Sequence, residues 1–431
     1  MAQIRLNENQ KKAVEYKDGD LLIIAGAGTG KTAVITQRVL HIIKNEWAKP
    51  SEILALTFTE KAAEEMEIRI DEQMEYGYDE PVISTFHSFC DRILREEGYN
   101  IGLDGGYSLM STGQAYIFLR RHMYELGLDT LLPRGNPVKF LNDFLQHVSR
   151  LQDEDVSVEE YMKYAQGVKD KEEQVKALEL AQAYKKYTEL KIENSRLDFG
   201  DLILLTIQLF RERKNILEKY RKRFKYILVD EFQDTNYTQN VLVNILKGQT
   251  KEERKEGPLL TVVGDDDQAI YKFRGAAISN ILQFKETYPE AKEVVLTENY
   301  RSRQEILDAS YTLIKHNDPY RLEVTEKIDK KLIARGAFEP DSDAVNLIVA
   351  KNELSEAERV VEEILELTGY GELIKQVEDK STQTFDEKGQ STFLDSQPVG
   401  KDAKYKFSDI AILVRANAHM DVFVQALRTR G

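Results

Sequence analysis

The sequence predicts a doubly wound α/β sheet that is interrupted by an all-helical insertion and followed by the first part of a second α/β domain. Three observations carry this expectation. The unalternating apolar run Leu21, Leu22, Ile23, Ile24 breaks into glycines and ends in Lys-Thr, as a strand buried on both faces of a parallel sheet does where it passes into a helix. Short apolar strands then alternate with amphipathic helices from residue 53 to 96, and the alternation returns at residue 226. Between the two blocks, over residues 111–195, the strand signal vanishes and helix periodicity replaces it. The expected boundaries are 1–110 and 197–291 for the two parts of the first α/β domain, 111–196 for the insertion and 292–431 for the second domain. A polar stretch at 369–406, rich in Gly, Ser, Thr, Lys and Asp, reads as a flexible insertion within the last of these.

Taken in order, residues 6–14 (LNENQKKAV) approach and start a helix, with Gln10 in its first turn, where a side-chain amide could donate to and accept from an adenine edge at once. The next stretch, LLIIAGAGTGKT at 21–32, has the spacing of a phosphate-binding P-loop, with Ala25 in the first position of the G-x-x-x-x-G-K-[ST] pattern. Gly26, Gly28 and Gly30, with Ala27 and Thr29 between them, let successive N–H groups converge at a helix N-terminus, which suits a polyphosphate. Lys31 supplies a charge to the β- and γ-phosphates and the Thr32 hydroxyl a ligand for Mg²⁺.

Strands at 53–57 (ILALT) and 82–84 (VIS) deliver TFT and TFHS to the carboxyl edge, where such sheets bind ligands. Phe58 and His87 lie in these turns. After the helical stretch, RLDFGDLI (196–203) re-enters the sheet domain, and the strand of YILVDEFQDTN (226–236) presents Asp230 and Glu231. In a parallel sheet these carboxylates reach the P-loop, Asp230 to hold Mg²⁺ through its water shell and Glu231 to deprotonate the attacking water. LLTVVGDDDQAIYKFRGA (259–276) then offers Gln268 to the γ-phosphate, and Tyr271, Phe273 and Arg274 as faces on which bases stack. VVLTENYRSRQEIL (294–307) begins the second block, continued by apolar runs at 344–350 and 409–414 and by helices near 355–367 and 419–428.

Composition narrows the class. A net charge of −14 excludes a protein that coats nucleic acid by bulk attraction, while leaving room for a local groove. The single cysteine, Cys90, excludes a disulfide framework and a cysteine-based zinc cluster, and reads as a buried small apolar side chain. No apolar stretch reaches the length of a membrane span and the N-terminus lacks signal-peptide character, so a cytoplasmic location and no membrane partner are expected.

The succession LNENQ, AGAGTGKT, LTFTEKAAEEM, TFHSF, VDEFQDTN, VVGDDDQAIYKFRGA and LTENYRS resembles superfamily 1 DNA helicases of the UvrD, Rep and PcrA type. The resemblance implies a RecA-like P-loop NTPase domain with a helical insertion, followed by the first part of a second RecA-like domain. It also implies ATP and Mg²⁺ as cofactors, single-stranded and duplex DNA as partners, and 3′ to 5′ unwinding. By match it makes Gln10 the adenine contact, Tyr300 the ring stacked on adenine and Arg301 a γ-phosphate contact across a cleft. Phe58, His87, Tyr271, Phe273 and Arg274 match the family's DNA-contacting positions. Several members carry Trp where this chain has Phe273, and some carry Arg where it has Ala33. The motifs that would complete the second domain are not in the sequence, so the resemblance covers the N-terminal portion of such a helicase. Two other readings share these motifs: a nucleotide-gated module that binds single-stranded DNA or protein without motor activity, and part of a RecB-like helicase-nuclease.

Overall fold

The computed structural model describes residues 5–74, 77, 79–132, 135–136, 138–269, 279–337, 344–370 and 405–430. Among the described residues ten strands are assigned: β1 (Leu21–Ala25), β2 (Ile53–Thr57), β3 (Val82–Thr85), β4 (Ser108–Leu109), β5 (Arg196–Leu197), β6 (Tyr226–Val229), β7 (Leu259–Gly264), β8 (Lys292–Leu296), β9 (Glu298–Asn299) and β10 (Ile333–Ala334). Six of them form one sheet in the order β3-β2-β6-β7-β1-β8, and every pairing in it is parallel. Uniform direction puts all six carboxyl ends on one edge, so the turns after β1, β2, β3, β6, β7 and β8 share that edge.

Successive side chains of a strand point to opposite faces, and both faces are covered. Leu22, Ile24, Leu54, Leu56, Ile227 and Val229 enter one core, with Phe86, Phe89 and Phe210. Leu21, Ile23, Ile53, Ala55 and Leu228 enter the other, with Val34, Val39 and Ile42 of the helix Lys31–Lys44. Cys90 is fully buried, and burial pushes its thiol up to about 12, so it packs as a small apolar group.

The insertion is all-helical as expected, with helices at Thr112–Arg121, Lys139–Asp153, Val158–Gly167 and Lys171–Glu193 around a core of its own that includes Leu119, Phe144 and Tyr187. The parallel pair β4·β5 closes its neck.

β8 was expected to open the second block, yet it pairs with β1 from Leu21↔Lys292 to Ala25↔Leu296 and completes the first sheet. By packing the chain divides into Met1–Pro340 and Asp341–Gly431. In the second unit the helices Glu353–Leu367 and Met420–Thr429 form. The apolar runs at 344–350 and 409–414, expected as strands, carry no strand assignment among the described residues. A run of this length gains a ladder only from a hydrogen-bonded neighbour, and here Leu347 and Leu413 stand exposed. Most of the expected flexible insertion at 369–406 lies outside the described residues.

Candidate nucleotide site at the carboxyl edge of the sheet

The turn after β1 is shaped by two glycines, Gly28 at φ 72° and Gly30 at φ 84°, a left-handed region that residues with a Cβ enter at a cost of about 1–2 kcal/mol. The buried Thr29 hydroxyl donates to the Gly26 carbonyl at 2.8 Å and ties the turn. Gln10 lies against it: its Nε2 donates to the Thr29 carbonyl at 2.9 Å, while its Oε1 accepts from the Asn7 N–H at 2.9 Å. Thus Gln10 caps its own helix, Glu8–Glu15, and braces the glycine turn. The Asn-x-x-Gln spacing is the sequence signal for that second task.

Strand order decides what meets Lys31. Its neighbour β7 ends in the turn that carries Gln268, and β6 ends one strand further on at Asp230 and Glu231. Lys31 Nζ donates to Glu231 Oε2 at 2.5 Å and to Gln268 Oε1 at 3.1 Å. Glu231 reaches it from a left-handed backbone, φ 47° and ψ 44°, strained for a residue with a side chain. Asp230 is buried and accepts from the Glu231 N–H at 2.9 Å. Burial and then the Glu231 charge push its carboxyl up to about 6; Asp234 is raised to about 6 by the same two causes. A buried, costly carboxylate at this edge and the Thr32 hydroxyl at the start of the facing helix are hard oxygen donors that fit Mg²⁺.

Two residues the sequence reading passed over complete the frame. Gln233 is buried and donates to Glu231 Oε2 at 2.7 Å while accepting from the Asp265 N–H at 3.1 Å, so it joins the ends of β6 and β7. Asn299 is buried on the other flank: its Nδ2 donates to the Ala27 carbonyl at 2.5 Å, and its Oδ1 accepts from the Arg301 and Ser302 N–H groups at 2.9 and 2.7 Å. The Tyr300 N–H donates to the Gly28 carbonyl at 2.9 Å, and a Cβ at Gly28 would meet Arg301 Cβ at 2.8 Å. Tyr300 and Arg301 are therefore brought to the glycine turn, both exposed. The Tyr300 hydroxyl donates to Glu298 Oε2 at 2.8 Å, which orients the ring.

Further along the edge Phe58 follows β2, and His87 sits in the first turn of the helix Phe86–Glu97. Burial lowers the His87 imidazole from its ordinary range, so it is a neutral ring at pH 7. Phe199 stands edge-on to it at 5.7 Å and is 47% exposed, a large apolar ring left in solvent beside His87. Its signal lay in RLDFGDLI, which the sequence reading used only as a re-entry point. Tyr271, Phe273 and Arg274 lie outside the described residues.

The description UvrD/REP helicase N-terminal domain matches residues 6–289, and UvrD-like helicase C-terminal domain matches 294–431. The chain belongs to the UvrD/REP helicase family. Among curated members, ATP-dependent DNA helicase PcrA of Bacillus subtilis is 36% identical over 427 residues, 99% of this chain and 49% of that protein. PcrA of Leuconostoc citreum is 38% identical over 363 residues, 84% of this chain and 44% of its own length. A probable DNA helicase II homolog of Mycoplasma capricolum is 36% identical over 342 residues, 79% of this chain and 45% of its own. The chain thus spans about half the length of the curated relatives it matches. Among solved structures, Pif1 helicase from Candida albicans aligns with a TM-score of 0.35 and 15% identity over 75% of this chain and 47% of that one, too distant a likeness to bear on the fold. In this UvrD/REP chain the second family match begins at residue 294, inside β8, and that strand nonetheless packs with the first sheet. No helix among the described residues is long and apolar enough to cross a membrane.

Proposed function

We propose that this chain is the ATP-binding portion of a DNA helicase, which binds ATP with Mg²⁺ between Gln10, the glycine turn (Ala25 to Thr32) and the Tyr300–Arg301 segment, and couples hydrolysis to 3′ to 5′ movement along single-stranded DNA and unwinding of duplex. The observation that supports it best is one hydrogen-bonded set: Lys31 with Glu231 and Gln268, beside Asp230. A γ-phosphate competes with Glu231 for the Lys31 ammonium. The carboxylate it releases becomes the base for the attacking water, within a frame kept by Gln233. Asp230 and Thr32 would hold Mg²⁺, which supplies charge neutralisation at the phosphates when bound. Tyr300 stacks on adenine, Arg301 approaches the γ-phosphate, and Gln268 senses it.

On the DNA side, Phe58, His87 and Phe199 lie along the same edge of the sheet domain as the nucleotide residues, and Tyr271, Phe273 and Arg274 extend the stacking surface by resemblance. The setting is the cytoplasm, in DNA repair or replication.

The test is the ATPase rate of the chain with and without single-stranded DNA. Stimulation by DNA, and a fall of about 10²–10⁴-fold in Glu231→Gln with nucleotide binding retained, are expected. DNA binding with no hydrolysis in the unaltered chain would favour a nucleotide-gated binding module instead.

A further inference from the structure

The turn after β7 places Asp265, Asp266 and Asp267 in succession, with carboxylate oxygens close enough together to suggest a metal site. Cations of the chain itself fill it. Lys330 Nζ donates to Asp265 Oδ1 at 2.7 Å, to Asp267 Oδ2 at 2.9 Å and to Asp266, and Arg321 forks onto Asp267 at 2.8 and 2.9 Å. Lys330 is buried at 7% exposure, an expensive place for an ammonium unless it is fully paired.

The arrangement reaches further than charge balance, because Asp265 is shared. Its Oδ1 faces Lys330, while its Oδ2 accepts from Gln268 Nε2 at 2.7 Å. That bond fixes which way round the Gln268 amide stands: the NH₂ is spent on Asp265, so Oε1 is the atom that faces Lys31. We infer that Lys330 is a positioning residue for Gln268, acting through Asp265, so that a lysine beyond β9 sets the amide that senses the γ-phosphate. The inference rests on the proposed reading of Gln268. Without Lys330, Asp265 Oδ1 keeps only the Asp267 N–H at 3.2 Å and faces the Asp266 carboxylate with no cation between them, so the Asp265 carboxylate swings away and frees the amide to turn over. The same segment also touches the glycine turn directly, since a Cβ at Gly26 would meet Leu332 at 2.8 Å. Any shift of residues 321–334 against the sheet is therefore felt at Gln268 and at the phosphate turn together.

The experiment compares the affinities of the full chain for ATP and ADP with Mg²⁺ by calorimetry, which requires no turnover. The unaltered chain is expected to prefer ATP, and Gln268→Ala to lower the ATP/ADP ratio by about tenfold, the loss of one charge-assisted contact. Lys330→Met should lower it by a similar factor, and the double variant by no more than either alone. Lys330→Arg should restore most of it. Lys331→Met, at an exposed neighbour paired with Asp308, should leave it unchanged. Where thermal melts show that Lys330→Met does not fold, Asp265→Asn serves, since it puts an NH₂ donor in place of one of the two oxygens that accept from Lys330 and Gln268; it too should lower the ratio. A ratio that falls in Gln268→Ala but holds in Lys330→Met or in Asp265→Asn overturns this inference alone, as does full additivity. No ATP preference in the unaltered chain, or none lost in Gln268→Ala, overturns the reading of Gln268 and the inference with it.

Discussion

Asp230 shows how a single residue trades stability for binding. Burial and Glu231 raise its carboxyl to about 6, above the unfolded value, so the protonated form is the one that favours folding. That contribution is fully present below pH 4 and lost as pH rises through about 6. Ionised Asp230 therefore costs about 1–3 kcal/mol at pH 8. Asp230→Asn, a shape match for the protonated acid, should raise the melting temperature at pH 8 without Mg²⁺ and leave it nearly unchanged at pH 4. The same variant should lose the Mg²⁺ dependence of ATP affinity, and in the unaltered chain that affinity should fall as pH drops below about 6. An equal gain in melting temperature at both pH values would count against a buried, ionised Asp230. Glu231 carries a different cost, the left-handed backbone that turns its carboxylate to Lys31.

At the scale of elements, the helical insertion is fastened to the sheet domain by a buried polar joint beneath β4 and β5. Lys191, at the end of the helix Lys171–Glu193, pairs with Asp198 and Asp201 at 2.6 Å each, and Gln152 Nε2 donates to both carboxylates at 2.9 and 3.0 Å. Against its burial, Asp198 is held below the usual carboxylate range by Lys191, while burial and then Asp198 raise Asp201 to about 7. Removing the ammonium strands two buried carboxyls. Lys191→Met should cost about 3–5 kcal/mol in urea unfolding, whereas Lys185→Met, an exposed position on the same helix, should stay within about 0.5 kcal/mol. Equal effects would mean that the joint does not carry the insertion.

For the whole molecule, net charge of −14 means that any DNA affinity comes from local stacking and a few cations and not from the overall field. Nucleotide should act on the whole first unit, because the site is assembled from the turns after β1, β6 and β7 and from residues 298–302. ATP with Mg²⁺ at 100 times its dissociation constant should stabilise the folded chain by about 2.7 kcal/mol. A thermal melt reads this as a rise in the transition temperature. Lys31→Ala should abolish the rise, and a persisting rise would place the nucleotide elsewhere.

The sequence by itself determined the parts with strong local physics. β1 and its glycine turn were legible because an apolar run, positive-φ glycines and Lys-Thr each have one economical use, and the helices of the insertion because their periodicity is intrinsic. Family membership followed from the order of motifs. The tertiary structure alone decided the partnerships. Nothing local in Lys292–Leu296 says that it pairs with β1, nor in Lys330 that it reaches Asp265, because parallel pairing and buried ion pairs join residues far apart in the chain. Gln233 and Asn299 were hidden for the same reason: a polar side chain is defined by which orphaned backbone or charged group it meets, and that is fixed only when the strands fall into order.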